Sequence, residues 1–136
     1  PLGKARIRQE GSDLTIITWG KQVFNVMKSA KALASEGISC EVIDLRSIRP
    51  LDHSTIFNSV AKTGRCVIVH EGHLFAGVGA ELVSRLQESC FEYLSAPILR
   101  VTNRDVPQPY ATVLEKEVVP NPERISTAAR QVARYN

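Results

Sequence analysis

An α/β fold, with a mainly parallel sheet covered by helices on both faces, is what this sequence predicts. Three observations predict it. Strand-like and helix-like segments alternate three times, the strand segments are too apolar to leave one face in water, and each helical segment carries its apolar residues along one side. A chain of 136 residues with 43% hydrophobic content is long enough for one domain with a real core and short for two. A single domain spanning 1–136 is therefore expected.

The elements follow in order. Ala5 to Arg8 and Leu14 to Thr18 are short strand-like runs separated by the polar turn Glu10-Gly11-Ser12-Asp13, which predicts a hairpin of two antiparallel strands. Gln22 to Glu36 sets Val23, Val26, Met27, Ala30, Leu33 and Ala34 on one helical face, and Gly37 stands where a helix end favours a left-handed residue. Cys40 to Asp44 is the next strand. After the loop LRSIRPL, Asp52 caps a helix bearing Ile56, Phe57 and Val60, which Lys62 and Gly64 end. Arg65 to His70 holds the apolar run Cys66-Val67-Ile68-Val69, followed by a helix from Gly79 to Leu94 with Leu82, Val83, Leu86, Cys90, Phe91 and Leu94 inward. Ile98 to Thr102 is the last strand. Asn121, with Pro122 at the first helical position, opens a final helix whose Ile125, Ala128, Ala129 and Val132 face the core.

Composition excludes several classes of function. The net charge is only +3 and the basic residues are interleaved with acidic ones, so no nucleic-acid footprint is expected. No apolar run approaches the roughly 18 residues of a membrane span, and the start PLGKARIRQEG lacks a signal layout. Cys40, Cys66 and Cys90 are odd in number and each lies in an apolar segment, which predicts buried free thiols in a reducing interior. The Pro-Leu-Gly start without an initiating Met predicts a piece of a longer polypeptide.

In a parallel sheet a ligand sits outside the carboxyl ends of the strands, where Trp19-Gly20, Arg46 and His70-Glu71 are expected to lie together. His70, Glu71 and His73 are too close in a loop for the i, i+4 helical zinc arrangement and lack an identifiable third ligand, so loop anchoring or a subunit interface is expected of them. Gly77-Val78-Gly79-Ala80-Glu81 resembles part of a dinucleotide fingerprint, but the third glycine is missing and Glu81 at the helix start repels a phosphate. Those glycines are read as permitting a tight turn and close helix-to-strand packing. For Arg46, Arg49 and Asp52, ion pairs within the loop are favoured over an anion site. No Ser-His-Asp or Cys-His constellation can be assembled, so no catalytic residue is assigned.

Five strings then add what periodicity does not. EVIDLRSIRPLD, SVAKTGRCVIVHEG, GVGAEL, APILRVTNRDVPQPY and VPNPERI, in that order and spacing, resemble the C-terminal domain of the beta subunit of 2-oxo acid dehydrogenase decarboxylases, with transketolases as broader relatives. The resemblance covers almost the whole chain. It implies a three-layer α/β/α sandwich on a five-stranded mixed sheet, with four strands parallel and the first antiparallel. It also implies a parent enzyme that decarboxylates a 2-oxo acid and reductively acylates a lipoyl group. In that family thiamine diphosphate and Mg²⁺ are held by the alpha subunit and the N-terminal part of the beta subunit, so neither is expected to bind this domain alone. The implied partners are the alpha subunit, a second beta subunit and the dihydrolipoyl acyltransferase core. The implied location is the mitochondrial matrix or another reducing interior, such as the bacterial cytoplasm or a plastid.

IRPLD, GVGAEL and DVPQPYA lean toward the pyruvate branch of the family, and ITWG, KTGRCVIVHE and QESCF toward the branched-chain one. The stretch Asp105 to Ala111 decides for pyruvate. One departure bears on docking: where the family often has an acidic residue before the Ala-Pro of the last strand, this chain has Ser95, so either a neighbour such as Glu92 carries the charge or docking is weaker. Two other classes stay open, a stand-alone anion- or nucleotide-binding module and a free-standing oligomerisation domain.

Overall fold

A computed structural model describes residues 2–104 and 118–136. Five strands form one sheet: β1 (Arg6–Gln9), β2 (Leu14–Thr18), β3 (Cys40–Asp44), β4 (Cys66–Val69) and β5 (Leu99–Val101). Among the described residues four α-helices cover it: α1 (Gln22–Ser35), α2 (His53–Thr63), α3 (Val78–Cys90) and α4 (Pro122–Ala133), with a 3₁₀ turn at Phe91–Tyr93. The strand order is β1-β3-β2-β4-β5, with β1 antiparallel to β3 and the other three pairings parallel. Among the described residues no helix is long and apolar enough to cross a membrane.

Strand alternation distributes the core over two faces. Ile16, Val42, Val67, Val69 and Val101 point to the side covered by α1 and α4, where Val26, Ala30, Leu33, Ile125, Ala129 and Val132 meet them. Ile17, Ile43, Cys66 and Ile68 point to the other side, against Ile56 and Val60 of α2 and Leu82, Leu86 and Cys90 of α3. The result is the expected three-layer sandwich.

The caps read from the sequence are in place. Asp52 accepts from Thr55 N–H at 3.3 Å, and Gly64 ends α2 at φ 73°. Asn121 accepts from Arg124 N–H at 2.9 Å, with Pro122 opening α4.

The predicted hairpin is corrected. β1 is antiparallel, but its partner is β3, not β2. All five residues of β2 are buried, so this strand takes the centre between β3 and β4, while β1, with Arg6, Ile7 and Arg8 exposed, takes the edge. The connection passes beneath the start of β3, where Asp13 N–H donates to Ser39 O at 2.8 Å and Ser39 N–H to the Asp13 carboxylate at 2.7 Å. Gly11 is required there, because a Cβ would stand 2.2 Å from the Cys40 carbonyl carbon.

Smaller corrections concern helix faces. Ala34 is exposed and Met27 only half-buried. Phe91, expected inward, is 68% exposed. The chain tightens from α to 3₁₀ after Cys90, and three residues per turn in place of 3.6 rotates Phe91 off the apolar stripe of α3.

Candidate functional site

The carboxyl end of the sheet brings Trp19, which follows β2, onto His70, which follows β4. Their rings stack with centroids 4.9 Å apart and planes 15° apart. His70 N–H donates to Val101 O at 3.1 Å, which fixes the loop start to β5, and the imidazole is only 3% exposed. Glycines surround it. A Cβ on Gly72 would lie 2.5 Å from His70 Nδ1, one on Gly79 2.5 Å from Nε2, and one on Gly77 3.3 Å from Cε1. The glycines of the helix start thus allow close approach, as read from the sequence, and the group that approaches is this imidazole.

Burial, followed by the nearby Arg100 guanidinium, holds the His70 pKa below its ordinary 6.5, so the ring is neutral at pH 7. Arg100 itself donates to the carbonyl of Leu74 and so ties the loop before α3 to β5. His70 Nε2, Thr18 Oγ1 and Asn103 Oδ1 are buried with no hydrogen-bond partner among the described residues.

Of the residues expected together at this end, Trp19 and His70 are the pair in ring contact. Glu71 and His73 are exposed. Arg46 is exposed at φ 60°, its N–H donating to Asp44 Oδ1 at 3.1 Å, and neither Arg46 nor Arg49 makes an ion pair among the described residues. The expectation of ion pairs within this loop is therefore corrected. Asp52 holds the loop instead, accepting from Ala5 N–H at 2.9 Å and from Thr55 and Ser54 hydroxyls. Burial opposes ionisation of its carboxyl, but these donors outweigh it and keep the pKa below the ordinary 3.8. Glu81 pairs with Arg85 at 3.1 Å, one helical turn on. Ser95 donates its N–H to Gly64 O at 2.8 Å and is exposed, as is Glu92 on the 3₁₀ turn. Asp105 to Ala111 lies outside the described residues.

A polar cluster at the opposite, amino end went unread in the sequence. Glu41 of β3 is 1% exposed, yet it accepts from Ser59 Oγ at 2.7 Å, from Gly11 N–H at 3.2 Å and from Lys62. Thr15 Oγ1 lies 2.8 Å from both Ser59 Oγ and Thr63 Oγ1, extending the network across β2 and α2. Burial raises the Glu41 pKa, but Lys62, Ser59 and Gly11 together bring it below the ordinary 4.5. The signal available was Glu41, a glutamate set between the apolar residues Cys40 and Val42 of the strand CEVID. The three cysteines are free and buried, and burial pushes the Cys40 thiol up to about 12 and the Cys66 thiol higher.

Among the described residues no group of three or more His, Cys, Asp or Glu side chains is placed to hold a metal ion. At the carboxyl end of the sheet the Trp19 indole stacks on the buried His70 imidazole, and Glu81 lies in the first turn of α3, where its charge suits the helix dipole. This defines a class: an α/β sandwich domain built on a mainly parallel five-stranded sheet with helices on both faces. The match to known proteins is more specific. The family model described as "Transketolase, C-terminal domain" covers residues 3–125, and the chain belongs to that family. It is 46% identical over 136 residues to the pyruvate dehydrogenase E1 component subunit beta of Dictyostelium discoideum, covering 100% of this chain and 38% of that protein. It is 47% identical to the corresponding Rickettsia felis subunit, over all of this chain and 42% of that one. The rice subunit beta-1 is 51% identical over 131 residues, 96% of this chain and 35% of the relative. The chain thus spans about two fifths of the length of the relatives it matches. Among solved structures, a split-gene transketolase in an inactive beta4 tetramer superimposes with a TM-score of 0.82 at 28% identity, over 96% of this chain and 41% of that one.

Proposed function

We propose that this chain is the C-terminal assembly domain of a pyruvate dehydrogenase E1 beta subunit. The observation that carries the reading is 46–51% identity to such subunits over 96–100% of the chain. In the whole enzyme, which oxidatively decarboxylates pyruvate and reductively acylates a lipoyl group, the domain's part is structural. It joins the alpha subunit and a second beta subunit in a heterotetramer and offers a docking surface to the acyltransferase core, with Glu92 and Ser95 on that surface. His70 anchors the loop, and Arg46, Glu71 and His73 extend the surface around it. The tetrameric neighbour supports an assembly role. The mitochondrial and bacterial relatives support a matrix or bacterial cytoplasmic setting.

Thiamine diphosphate and Mg²⁺ belong to the parent enzyme in this reading, outside this domain. The described residues do not fit the diphosphate, because the glycine turn that could face it is filled by His70 and followed by Glu81. No step of the reaction is therefore assigned to these side chains.

The test is a chimera in which this chain replaces the C-terminal two fifths of the Rickettsia felis beta subunit, expressed with that organism's alpha subunit. A heterotetramer that turns over pyruvate faster than 3-methyl-2-oxobutanoate is expected, measured by light scattering and by reduction of an artificial electron acceptor. A folded chimera that does not join the alpha subunit overturns the reading. Assembly with the opposite substrate preference moves it to the branched-chain enzyme.

A further inference from the structure

Among the described residues the edge strand β1 pairs with β3 alone, and its outer side is open. The direction of its backbone groups follows from its neighbours. Leu45 N–H donates to Thr18 O of β2 at 2.9 Å, so Leu45 and Ile43 turn their polar groups toward β2, and Asp44 between them turns its own toward β1. Arg6 stands opposite Asp44 and meets those groups. Ile7, opposite Ile43, therefore turns its N–H and C=O away from the sheet. Ala5 has the same outward phase, but its N–H is occupied, donating to the Asp52 carboxylate at 2.9 Å. Ile7 is the open position.

Charge along this edge has one sign. Lys4, Arg6 and Arg8 are exposed, and the loop after β3 adds exposed Arg46 and Arg49 at the end where β1 begins, because Gly3 lies against Pro50. Lys4, Arg6, Arg46 and Arg49 make no ion pair among the described residues. The nearby acids do not offset them. Asp44, its side chain 16% exposed, is shared by Arg8 at 3.9 Å and the Arg46 N–H. Asp52 is buried as the α2 cap, and Glu10 follows the strand. Side chains alternate in chemistry as well as direction. Ile43 faces α2 and α3, so Ile7 opposite it takes that side, 43% exposed, while Arg6 and Arg8 take the other with Asp44.

We propose that β1 is a docking edge for an extended acidic segment of another polypeptide, one in which acidic and apolar residues alternate. Such a segment pairs its backbone with Ile7, sets its acidic side chains beside Arg6 and Arg8, and lays its apolar side chains against Ile7 on the opposite face. A second copy of this chain does not fit. Two β1 edges side by side would bring the same arginines together, and like charges across a strand pair are unfavourable. A nucleic acid would meet the guanidinium groups but has no strand backbone to pair with Ile7. Cations on an edge guard it against its own kind, and the attraction of an acidic strand is the other side of that repulsion.

The inference stands apart from the enzyme assignment, and its carrier is the folded chimeric beta subunit described above, with or without the alpha subunit. The probe is a capped, fluorescent peptide of about six residues alternating glutamate and valine, followed by anisotropy and by hydrogen exchange at the Ile7 amide. Saturable binding that weakens with added salt is expected, with slower exchange at Ile7. R6E/R8E is expected to weaken binding about tenfold or more and to favour a lysine–valine peptide instead. Ile7→Pro removes the outward N–H and keeps both arginines and the pairing of Arg6 with β3, and a loss of about tenfold is expected there too. Far-UV spectra check that each variant is folded, and should Ile7→Pro unfold, the charge variant and the Ile7 exchange decide. Absence of saturable binding, equal binding by R6E/R8E, an Ile7 amide already protected before peptide is added, or binding that leaves its exchange unchanged each overturns the docking edge. A chimera that binds the peptide but fails to assemble overturns the enzyme reading alone, and one that turns over pyruvate without binding the peptide overturns the edge alone.

Discussion

The two ends of the sheet handle buried polarity in opposite ways. At the amino end, Glu41, Thr15, Ser59 and Thr63 satisfy one another across β2, β3 and α2, with Lys62 closing the cluster. At the carboxyl end, Thr18, His70 and Asn103 bury side-chain atoms that have no partner among the described residues, and the His70 ring, whose backbone N–H is tied to Val101, is held by packing between glycines and a tryptophan. A charged group out of water needs its donors in place, whereas a neutral imidazole needs mainly a close-fitting space. The difference teaches that the amino end is locked by hydrogen bonds and the carboxyl end by shape.

The largest test of that contrast is Glu41→Ala. It strands Ser59, Lys62 and the Gly11 N–H around a buried gap, and a loss of roughly 3 kcal/mol is expected in urea unfolding. A loss under about 1 kcal/mol would show that the cluster is surface-like despite its burial. At the other end, Gly79→Ala drives a methyl group into His70 Nε2. The ring cannot swing away between Trp19 and Gly72, so about 2 kcal/mol of overpacking is expected. Adding His70→Ala should remove much of that Gly79→Ala cost, a coupling measured by the double-mutant cycle. Additive effects would break the idea of a cradle.

The smallest effects are in pH dependence, and they separate the two ends. The folded state disfavours the His70 imidazolium, so the unfolded chain takes up that proton first. The stability contributed by neutral His70 is then whole above pH 6.5 and erodes as the pH falls below it. Glu41 has the same sign in a lower window: its contribution is complete above pH 4.5 and is lost on further acidification through its depressed pKa. Thermal melts from pH 8 to 4 of the wild type, His70→Phe and Glu41→Gln should lose the first and the second slope respectively. A His70→Phe profile identical to wild type near pH 6 would contradict the neutral, buried ring.

Much of this was legible along the chain. Alternating strand and helix, the Asp52 and Asn121 caps and the Gly37 and Gly64 helix ends depend on residues within a turn or two of each other, and local rules reach that far. Five ordered motifs carry the family resemblance and the sandwich it implies. The partner of β1 did not follow, because Glu10 to Asp13 has hairpin chemistry and only the burial of β2 on both sides decides against it. Nor did Phe91, whose direction turns on where α3 tightens.

The sequence by itself determined the class, the caps, the buried thiols and the family, since each rests on composition, period or motif. Tertiary structure decided three things. It chose which strand β1 joins, it turned three glycines into a cradle for His70, and it closed Glu41 into a network with Ser59 and Lys62. The β1–β3 pairing and the Glu41–Ser59–Lys62 network join positions far apart in the chain, and the glycine cradle closes only because the loop after β4 folds the start of α3 back onto His70.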